Sequence, residues 1–346
     1  MRALSVVPGS PDSATVEERP DPPESDGAVL VDGLLMGVCG TDVEIVKDGY
    51  GVPPAGATRL VLGHESLGRV REAPQGSGFA KGDLVAGVVR RPDGCAACAD
   101  DQWDMCLDGG YVERGIKAAD GYGATSWRAD PRFLVKLDAS LGDLGVLLEP
   151  TSVVAKAWEQ VDRIGSRAYW KPRTALVTGA GPIGLLAALL GVQRGLEVTV
   201  VDLSTDGVKP DLVRDLGATY SSAKVRDLGL RPDVVIECTG VGDLVFACLE
   251  STGPNAVVAL TGISASRAEM QTPLTAVNKE LVLSNEVIFG SVNAAKRHYP
   301  QAAAALTAAD PAWLARLVTR RVPLADWAKA LVKNDDDVKV VVDLQA

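Results

Sequence analysis

The feature that most constrains this 346-residue chain is a glycine-rich turn between an apolar strand and an apolar helix, in TALVTGAGPIGLLAALLG. Gly179, Gly181 and Gly184 have the G-x-G-x-x-G spacing of turns that bind a dinucleotide, and Pro182 and Ile183 lie between the last two. The first glycine permits the tight turn, the second lets the backbone approach a pyrophosphate, and the third packs the helix on the strand. The phosphates then lie at a helix N-terminus. The pattern predicts a dinucleotide-binding domain.

An acidic residue follows this turn at the expected distance. Asp202 comes directly after the next apolar strand, EVTVV, at the position where a carboxylate of such a site binds ribose hydroxyls. The alternative is a glycine turn without a ligand, followed by an exposed acid. The order of strand, turn and helix favours the dinucleotide site.

The strand and helix patterns divide the chain into three parts. Residues 1–155 consist mainly of short β segments separated by glycine, proline and aspartate turns. Residues 156–292 alternate strands with helices, which predicts an α/β domain with a doubly wound parallel sheet of the Rossmann type. Residues 293–346 end in a helix and a strand-like segment, and we expect them to return to the first domain.

Composition narrows the partners and the compartment. The formal net charge of -10 disfavours nucleic acid and anionic membrane surfaces, since both attract basic patches. No apolar segment approaches the roughly 18–20 residues of a membrane span. Six cysteines without a secretion signal predict a reducing cytoplasm, where clustered cysteines more often bind metal than form disulfides.

One of only two histidines, His64, lies beside Glu65 in the segment GHES, and the upstream segment GVCGTD adds the thiol of Cys39. Cysteine, histidine and carboxylate are the common ligands of zinc, and a catalytic site keeps one position open for water or substrate. A single cysteine and a single histidine also fit ordinary buried packing. These residues by themselves leave both interpretations open.

Longer segments favour the metal site. GVCGTD, LVLGHESLGRV, GDLVAGVVRRPDGC, GAGPIG and FGSVN resemble the zinc-dependent medium-chain dehydrogenase/reductase superfamily. Within it, GVCGTDVEIVKDGYG, YVERGI, DGYGATSWRADPRFLVKL, LGVLLEP and NKELVLSNEVIFGSVN resemble microbial glucose dehydrogenases. The resemblance extends from about Gly37 to the C-terminus. It implies a GroES-like, β-rich catalytic domain joined to a Rossmann domain.

The resemblance also implies roles for particular residues. Cys39, His64 and Glu149 match ligands of a catalytic zinc, and Glu65 matches a position that exchanges with water or substrate. Thr41 matches the hydroxyl that hydrogen-bonds the reacting alcohol and relays its proton. The positions implied for the sugar are Thr41, Glu113, Glu149 and Asn293, and those implied for the cofactor beyond the glycine turn and Asp202 are Gly262, Ser291, Val292 and Asn293.

The chain departs from the family at some positions. Leu283 stands where some glucose dehydrogenases have a histidine, and Val153 replaces a carboxylate. These differences weaken the inference of glucose itself but leave a polyhydroxylated substrate. The alternative for Glu113 is that it is an ordinary surface carboxylate that does not contact the sugar. His298 is expected at the surface.

Cys95, Cys98 and Cys106 form a second cysteine cluster, in GCAACADDQWDMC. Many relatives bind a structural zinc here through four cysteines, and this chain has Asp101 where the third would fall. Three thiolates and one carboxylate still make a closed tetrahedral site, with Asp101 as fourth ligand. The alternative is a lobe that has lost its metal and keeps three reduced thiols.

The strand after the glycine turn bears on the choice of cofactor. Sugar dehydrogenases that use NADP often have arginines here that bind the 2′-phosphate, whereas this chain has VVDLSTDG. Leu203 and Ser204 supply no positive charge, so we expect NAD to be preferred. NADP is the alternative, if Lys209 folds back onto the phosphate.

These patterns predict a cytoplasmic, zinc-dependent enzyme that oxidises the anomeric hydroxyl of a glucose-like aldose to the lactone with NAD. One alternative is a polyol or secondary-alcohol dehydrogenase with the same zinc and hydride chemistry. Another is a zinc-free protein that binds the cofactor as a sensor or structural component. The family resemblance suggests a homodimer or homotetramer.

Overall fold

A computed structural model of the chain describes residues 1–264 and 274–346. These residues form two compact units, one built from residues 1–152 and 293–346 and the other from residues 153–292. The first unit therefore contains both ends of the chain. Within the described ranges, no helix combines the length and the apolar character that crossing a bilayer requires.

Short strands dominate the first part of the chain. They are β1 (Arg2–Val7), β2 (Ser10–Glu18), β3 (Val29–Gly37), β4 (Leu60–Val61), β5 (Glu65–Glu72), β6 (Leu84–Gly87), β7 (Arg90–Arg91), β8 (Val112–Arg114), β9 (Ala118–Ala119), β10 (Ser126–Ala129) and β11 (Leu134–Lys136). The helices between them are α1 (Gly40–Asp48) and α2 (Ala96–Ala99). Short 3-10 helices include Trp103–Met105 and Ala139–Leu147.

Helix α3 (Leu148–Gly165) begins in the first unit, and strands and helices then alternate through the second. They are β12 (Thr174–Thr178), α4 (Pro182–Gln193), β13 (Glu197–Val201), α5 (Val208–Asp215), β14 (Thr219–Ser221), β15 (Val234–Glu237), α6 (Gly242–Leu249), β16 (Val257–Leu260), α7 (Leu274–Ser284) and β17 (Val287–Gly290). The chain then returns to the first unit with α8 (His298–Ala308), α9 (Pro311–Leu317), β18 (Val318–Pro323) and β19 (Lys339–Asp343).

The main sheet of the first unit is organised around β3. Its strand order is β11-β6-β5-β3-β19-β18, with β10 also paired to β3. The last strand, β19, pairs antiparallel with β3, so that Val342 lies opposite Met36, and both side chains are buried in one apolar cluster. Burial of this apolar face attaches the end of the chain to the sheet that carries β5.

The second unit has a six-stranded parallel sheet with the strand order β14-β13-β12-β15-β16-β17. In chain order this is 3-2-1-4-5-6, the arrangement of the doubly wound dinucleotide-binding fold. All four residues of β15 are buried, as expected for a strand covered on both faces. The predicted Rossmann sheet is confirmed, and the strand order reverses between β12 and β15, where the glycine turn begins.

Candidate active site

The N-terminus of α1 fixes the first two candidate side chains. Cys39 is the N-cap residue, and its N–H donates to Asp42 Oδ2 at 2.9 Å, while the Cys39 side chain caps the N–H of Asp42. This reciprocal pattern is a capping box, which satisfies amide groups that have no partner inside the helix. Thr41 lies in the same turn, with its Oγ1 4.0 Å from Cys39 Sγ. Capping therefore holds the thiol and the hydroxyl side by side.

His64 and Glu65 lie at the start of β5 and are buried beside Cys39. Ligand atoms of Cys39, His64 and Glu65 all fall within 4.8 Å of one another. Gly37, on the neighbouring strand, makes room for the carboxylate, because a Cβ there would lie 2.0 Å from Glu65 Oε2. The structure thus brings together three of the four residues expected to hold the catalytic zinc.

Glu65 is paired with a buried lysine from the other end of the chain. Lys339 Nζ donates to Glu65 Oε1 at 2.7 Å and Oε2 at 2.6 Å, and to the Val38 carbonyl at 3.1 Å. Both charged side chains are almost completely buried. Lys339 would compete with a bound metal for this carboxylate, which fits the expectation of Glu65 as an exchangeable ligand rather than a permanent one.

Asp42 is the second neighbour of His64. Its Oδ1 lies 3.7 Å from His64 Nδ1, and both atoms are buried without a hydrogen bond among the described residues. Burial lowers the pKa of the His64 imidazole, but Asp42 and Cys39 raise it by more, so the pKa is well above its usual value. A carboxylate beside a ligating histidine is the usual device that orients the ring toward a metal.

Glu149 lies outside the 4.8 Å group, although it too is buried. Burial raises the pKa of Glu149 to about 7; Glu65 and Glu113 add to the rise, while His64 and Lys339 oppose it. Two carboxylates in a poorly solvated space repel each other. A divalent cation between them would remove that repulsion.

The donor set therefore fits zinc. A thiol, an imidazole and carboxylates converge in a buried space with more acidic than basic groups, and the two orphaned atoms of Asp42 and His64 face each other beside it. Zinc prefers this combination of sulfur, nitrogen and oxygen ligands.

Glu113 is buried on β8, which removes the alternative of an ordinary surface carboxylate. Asn293 Nδ2 donates to Glu113 Oε1 at 2.7 Å, although the two residues are 180 positions apart. Asn293 adopts a left-handed backbone with φ of 59°. The two residues expected to contact a sugar are thus in direct contact.

The glycine turn has the conformation that its sequence predicts. Gly179 has φ of 85°, and its N–H donates to the Val201 carbonyl at 2.7 Å. A Cβ at Gly184 would lie 1.8 Å from the Gly179 carbonyl oxygen, so only glycine permits this approach of α4 to the turn. At Gly181, the N-cap of α4, a Cβ would meet open space among the described residues. Pro182 occupies the first turn of α4, as a helix start permits.

Asp202 closes onto this turn. Its Oδ2 accepts from the N–H of Ala180 at 2.7 Å, and its Oδ1 accepts from the N–H and Oγ of Ser204, each at 3.0 Å. Burial raises the pKa of Asp202, but these donors and the charge of Lys209 outweigh it, so the pKa lies below its usual value. The carboxylate is therefore anionic and directly beside the predicted pyrophosphate turn.

The remaining candidate cofactor residues lie in turns at the same edge of the sheet, after β16 and β17. The Gly262 N–H donates to the Glu237 carbonyl at 3.1 Å, and a Cβ at Gly262 would lie 2.1 Å from the Gly240 nitrogen. Ser291 is buried, and the carbonyl of Val292 accepts from Lys156 Nζ at 2.9 Å. Parallel strands bind ligands at this carboxyl edge.

The second cysteine cluster contains a different carboxylate from the one predicted. Ligand atoms of Asp93, Cys95, Cys98 and Cys106 lie within 4.8 Å of one another. Asp93 Oδ2 accepts from Cys106 Sγ at 2.9 Å and from the N–H of Gly110, also at 2.9 Å. Hydrogen bonds from Cys106 and from the N–H of Cys95 lower the pKa of Asp93.

The prediction of Asp101 as fourth ligand is therefore corrected to Asp93. Asp101 follows the short helix α2 with a left-handed φ of 56°, and its carbonyl accepts from Arg297. Asp93 precedes Cys95 by two residues, and its Oδ1 accepts from the Cys95 N–H at 3.0 Å. This local turn brings its carboxylate onto the thiols, which spacing within the cysteine segment did not reveal.

His298 is also corrected, because its side chain is completely buried rather than at the surface. Its Nδ1 accepts from the N–H of Ala295 at 3.0 Å, at the start of α8. The bond closes the turn that follows Asn293, so this histidine has a structural contact that the segment KRHYP does not indicate.

The sequence patterns gave no role to Asp42, Lys339 or Glu237. Asp42 had a local signal, since cysteine and aspartate three apart at a helix start suggest a capping box. Lys339 had no such signal, because the sequence shows only a lysine followed by three valines. Glu237 accepts from Thr178 Oγ1 and from the N–H of Thr239 and Gly240 near the glycine turn, which no spacing predicts.

Family comparisons agree with this geometry. Residues 142–344 match the family model described as glucose dehydrogenase C-terminus, and residues 25–139 match the alcohol dehydrogenase GroES-like domain. The chain belongs to the glucose dehydrogenase family of zinc-type medium-chain dehydrogenases. The predicted pairing of a GroES-like domain with a Rossmann domain is confirmed.

Individual relatives of this family match over the whole chain. A glucose 1-dehydrogenase of Methanocella arvoryzae is 39% identical, and one of Thermoproteus tenax is 40% identical, each with 100% of both chains covered. Among solved structures, the glucose dehydrogenase of Haloferax mediterranei in complex with NADP, Zn and gluconolactone has a TM-score of 0.92. It is 33% identical, and 100% of each chain is covered.

We predict that His64→Ala will lower the kcat of this zinc-type dehydrogenase by about a hundredfold or more and reduce zinc binding, because one ligand is lost. Zinc content, kcat and cofactor binding would be measured on the folded variant. His298→Gln is a matched control, since it removes the other histidine from the same unit. Near-normal turnover of His64→Ala after chelation and dialysis would contradict a metal mechanism.

We predict about two zinc ions per chain in the reconstituted protein, and about one in Asp93→Ala, because the second site loses its only carboxylate. Asp101→Ala is the control and should retain both. Atomic emission on dialysed protein measures the ratio. A single zinc per wild-type chain, or equal losses in the two variants, would rule out a second site with Asp93.

Proposed function

We propose that this protein oxidises the anomeric hydroxyl of a glucose-like aldose to the lactone, with zinc and a nicotinamide cofactor. The observation that carries the proposal is that the first unit buries both the group Cys39, His64 and Glu65, which could hold a metal ion, and Glu113, which Asn293 contacts. Glu149 is close to both sets, since the charge of Glu65 from one and that of Glu113 from the other each raise its pKa. The names of the relatives and the gluconolactone in the Haloferax mediterranei complex support the same reaction.

The roles of the residues follow from their positions. Cys39, His64 and Glu149 would hold zinc, with Glu65 alternating between the metal and Lys339. When bound, zinc lowers the pKa of a hydroxyl and polarises a carbonyl, and the nicotinamide accepts a hydride. The sugar loses a hydride from C1 and a proton from its hydroxyl, and so becomes the lactone.

Three further residues of the chain act on the sugar. Thr41 Oγ1 would accept the proton of the sugar hydroxyl while it gives its own proton toward solvent, so that it stays neutral. Glu113 and Asn293 hold the other hydroxyls and so orient C1. A charge-assisted hydrogen bond of this kind contributes about 1.5–3 kcal/mol, enough to select a polyhydroxylated substrate over a simple alcohol.

Assembly and location belong to this proposal as well. We infer a homodimer or homotetramer from the family resemblance, which light scattering coupled to size-exclusion chromatography would measure. A cytoplasmic location agrees with six free cysteines, three of which lie in a potential metal site.

Kinetics with a panel of substrates would test the reaction. We expect the highest kcat/KM for an aldose, with lactone as product, because Glu113 and Asn293 recognise hydroxyls next to a reacting C1. Polyols and secondary alcohols serve as the comparison, since they share the zinc and hydride chemistry but lack an anomeric hydroxyl. A polyol that exceeds every aldose would favour a polyol dehydrogenase, and bound cofactor without turnover would favour a sensor.

The cofactor preference is a separate prediction. Asp202 is anionic and would face the 2′-phosphate of NADP, so we expect kcat/KM for NAD to exceed that for NADP by roughly ten- to a hundredfold. Asp202→Ala should narrow the gap. Lys209 is near enough to lower the pKa of Asp202, so Lys209→Ala is the informative companion. A wild-type kcat/KM for NADP equal to that for NAD would contradict the preference for NAD. If Lys209→Ala then lowered the kcat/KM for NADP, Lys209 would be the residue that binds the 2′-phosphate.

A further inference from the structure

The hydrogen bonds of Glu113 are distributed unequally between its two oxygens. Oε1 accepts from Arg90 Nε at 3.1 Å, from Arg90 Nη2 at 2.9 Å and from Asn293 Nδ2 at 2.7 Å. Oε2 accepts no hydrogen bond from any residue in the ranges 1–264 and 274–346. Three donors therefore occupy one oxygen, while the other retains its capacity to accept.

Arg90 is itself held in place from several sides. It is only 4% exposed, and β7 pairs with β8 so that Arg90 lies directly opposite Glu113. Its Nη1 donates to the Trp103 carbonyl at 3.2 Å, and its guanidinium lies 3.7 Å from the centre of the Tyr111 ring. Both of its bonds to Glu113 end on Oε1, so a guanidinium fixed in this way holds the position of that one oxygen.

We propose that Arg90 is a positioning residue for substrate recognition, acting through Glu113. Arg90 holds Oε1 toward the interior of the protein, which leaves Oε2 as the single acceptor on Glu113 for substrate hydroxyls. This inference rests on the proposed function, because it assigns Glu113 to an aldose. It adds that the selectivity for polyhydroxylated substrates depends on a residue that does not touch the sugar.

Asn293, the second residue that donates to Glu113 Oε1, also has a fixed orientation. Its Oδ1 accepts from the N–H of Ala294 at 2.6 Å, so its amide nitrogen must face Glu113. Reversing the amide of Asn293 would lose both of these hydrogen bonds. The orientation of Glu113 is thus set before substrate binds, which reduces the ordering cost of recognition.

A double-mutant cycle tests the proposal. We expect Arg90→Met and Glu113→Gln each to lower kcat/KM for glucose roughly tenfold to a hundredfold, mainly through a higher KM for the sugar. The double variant should be no worse than Glu113→Gln alone, because Arg90 acts only through that carboxylate. Arg90→Lys keeps the charge and should recover part of the loss. The KM for the nicotinamide cofactor should stay constant.

Arg91→Met is the matched control. Arg91 is the next residue on β7, but it donates to the Val88 carbonyl and to the Tyr122 hydroxyl rather than to Glu113. It should change stability without changing the KM for glucose. Additive losses in the double variant, or an equal rise of KM in Arg91→Met, would overturn the positioning role.

The proposed function and the role of Arg90 fail in different ways. If the wild-type protein oxidises no aldose, the proposed function is wrong and the role of Arg90 in sugar recognition falls with it. If the wild type is active and the cycle shows no coupling, only the role of Arg90 is wrong. Should Arg90→Met not fold, Arg90→Lys combined with Glu113→Gln provides the same cycle, and a lack of coupling there would equally overturn the role of Arg90.

Discussion

The buried ion pair between Lys339 and Glu65 is the constraint on which the catalytic unit depends. Asp42, Glu65 and Glu149 place three acidic side chains around His64 in a space with little water, and Lys339 supplies the balancing charge. Removing one member of a buried pair costs about 3–5 kcal/mol, because the other charge is left unpaired. The concentration of carboxylates that raises the pKa of Glu149 also makes the region suited to a divalent cation.

The path of the chain makes this ion pair possible. Lys339 is 274 residues from Glu65 in sequence, yet β19 lies beside β3, which in turn pairs with β5. The apolar face of β19 supplies the energy for this return, and the lysine is positioned as a result. Asn293 reaches Glu113 through the same return of the chain. Both halves of the proposed chemistry thus need the C-terminal segment in place.

The candidate cofactor site of the second unit is built mainly from residues that are close together in the sequence. Its glycine turn, the helix start at Pro182 and the carboxylate of Asp202 all arise within one strand–helix–strand segment. Glu237 then links this segment to the turns that follow β15 and β16, through buried hydrogen bonds. Local rules describe the turn itself, whereas its support comes from neighbouring strands.

The sequence by itself determined the Rossmann sheet and the glycine turn, because each has a local pattern of spacing or periodicity. Cys39, His64 and Glu65 were candidates through the family resemblance of the segments that contain them. The sequence misassigned Asp101, since a turn two residues before Cys95 decides which carboxylate reaches the thiols. Only the tertiary structure decided the partners of buried charges. Ion pairs form between side chains that strand register brings together, and register across hundreds of residues leaves no trace in local spacing.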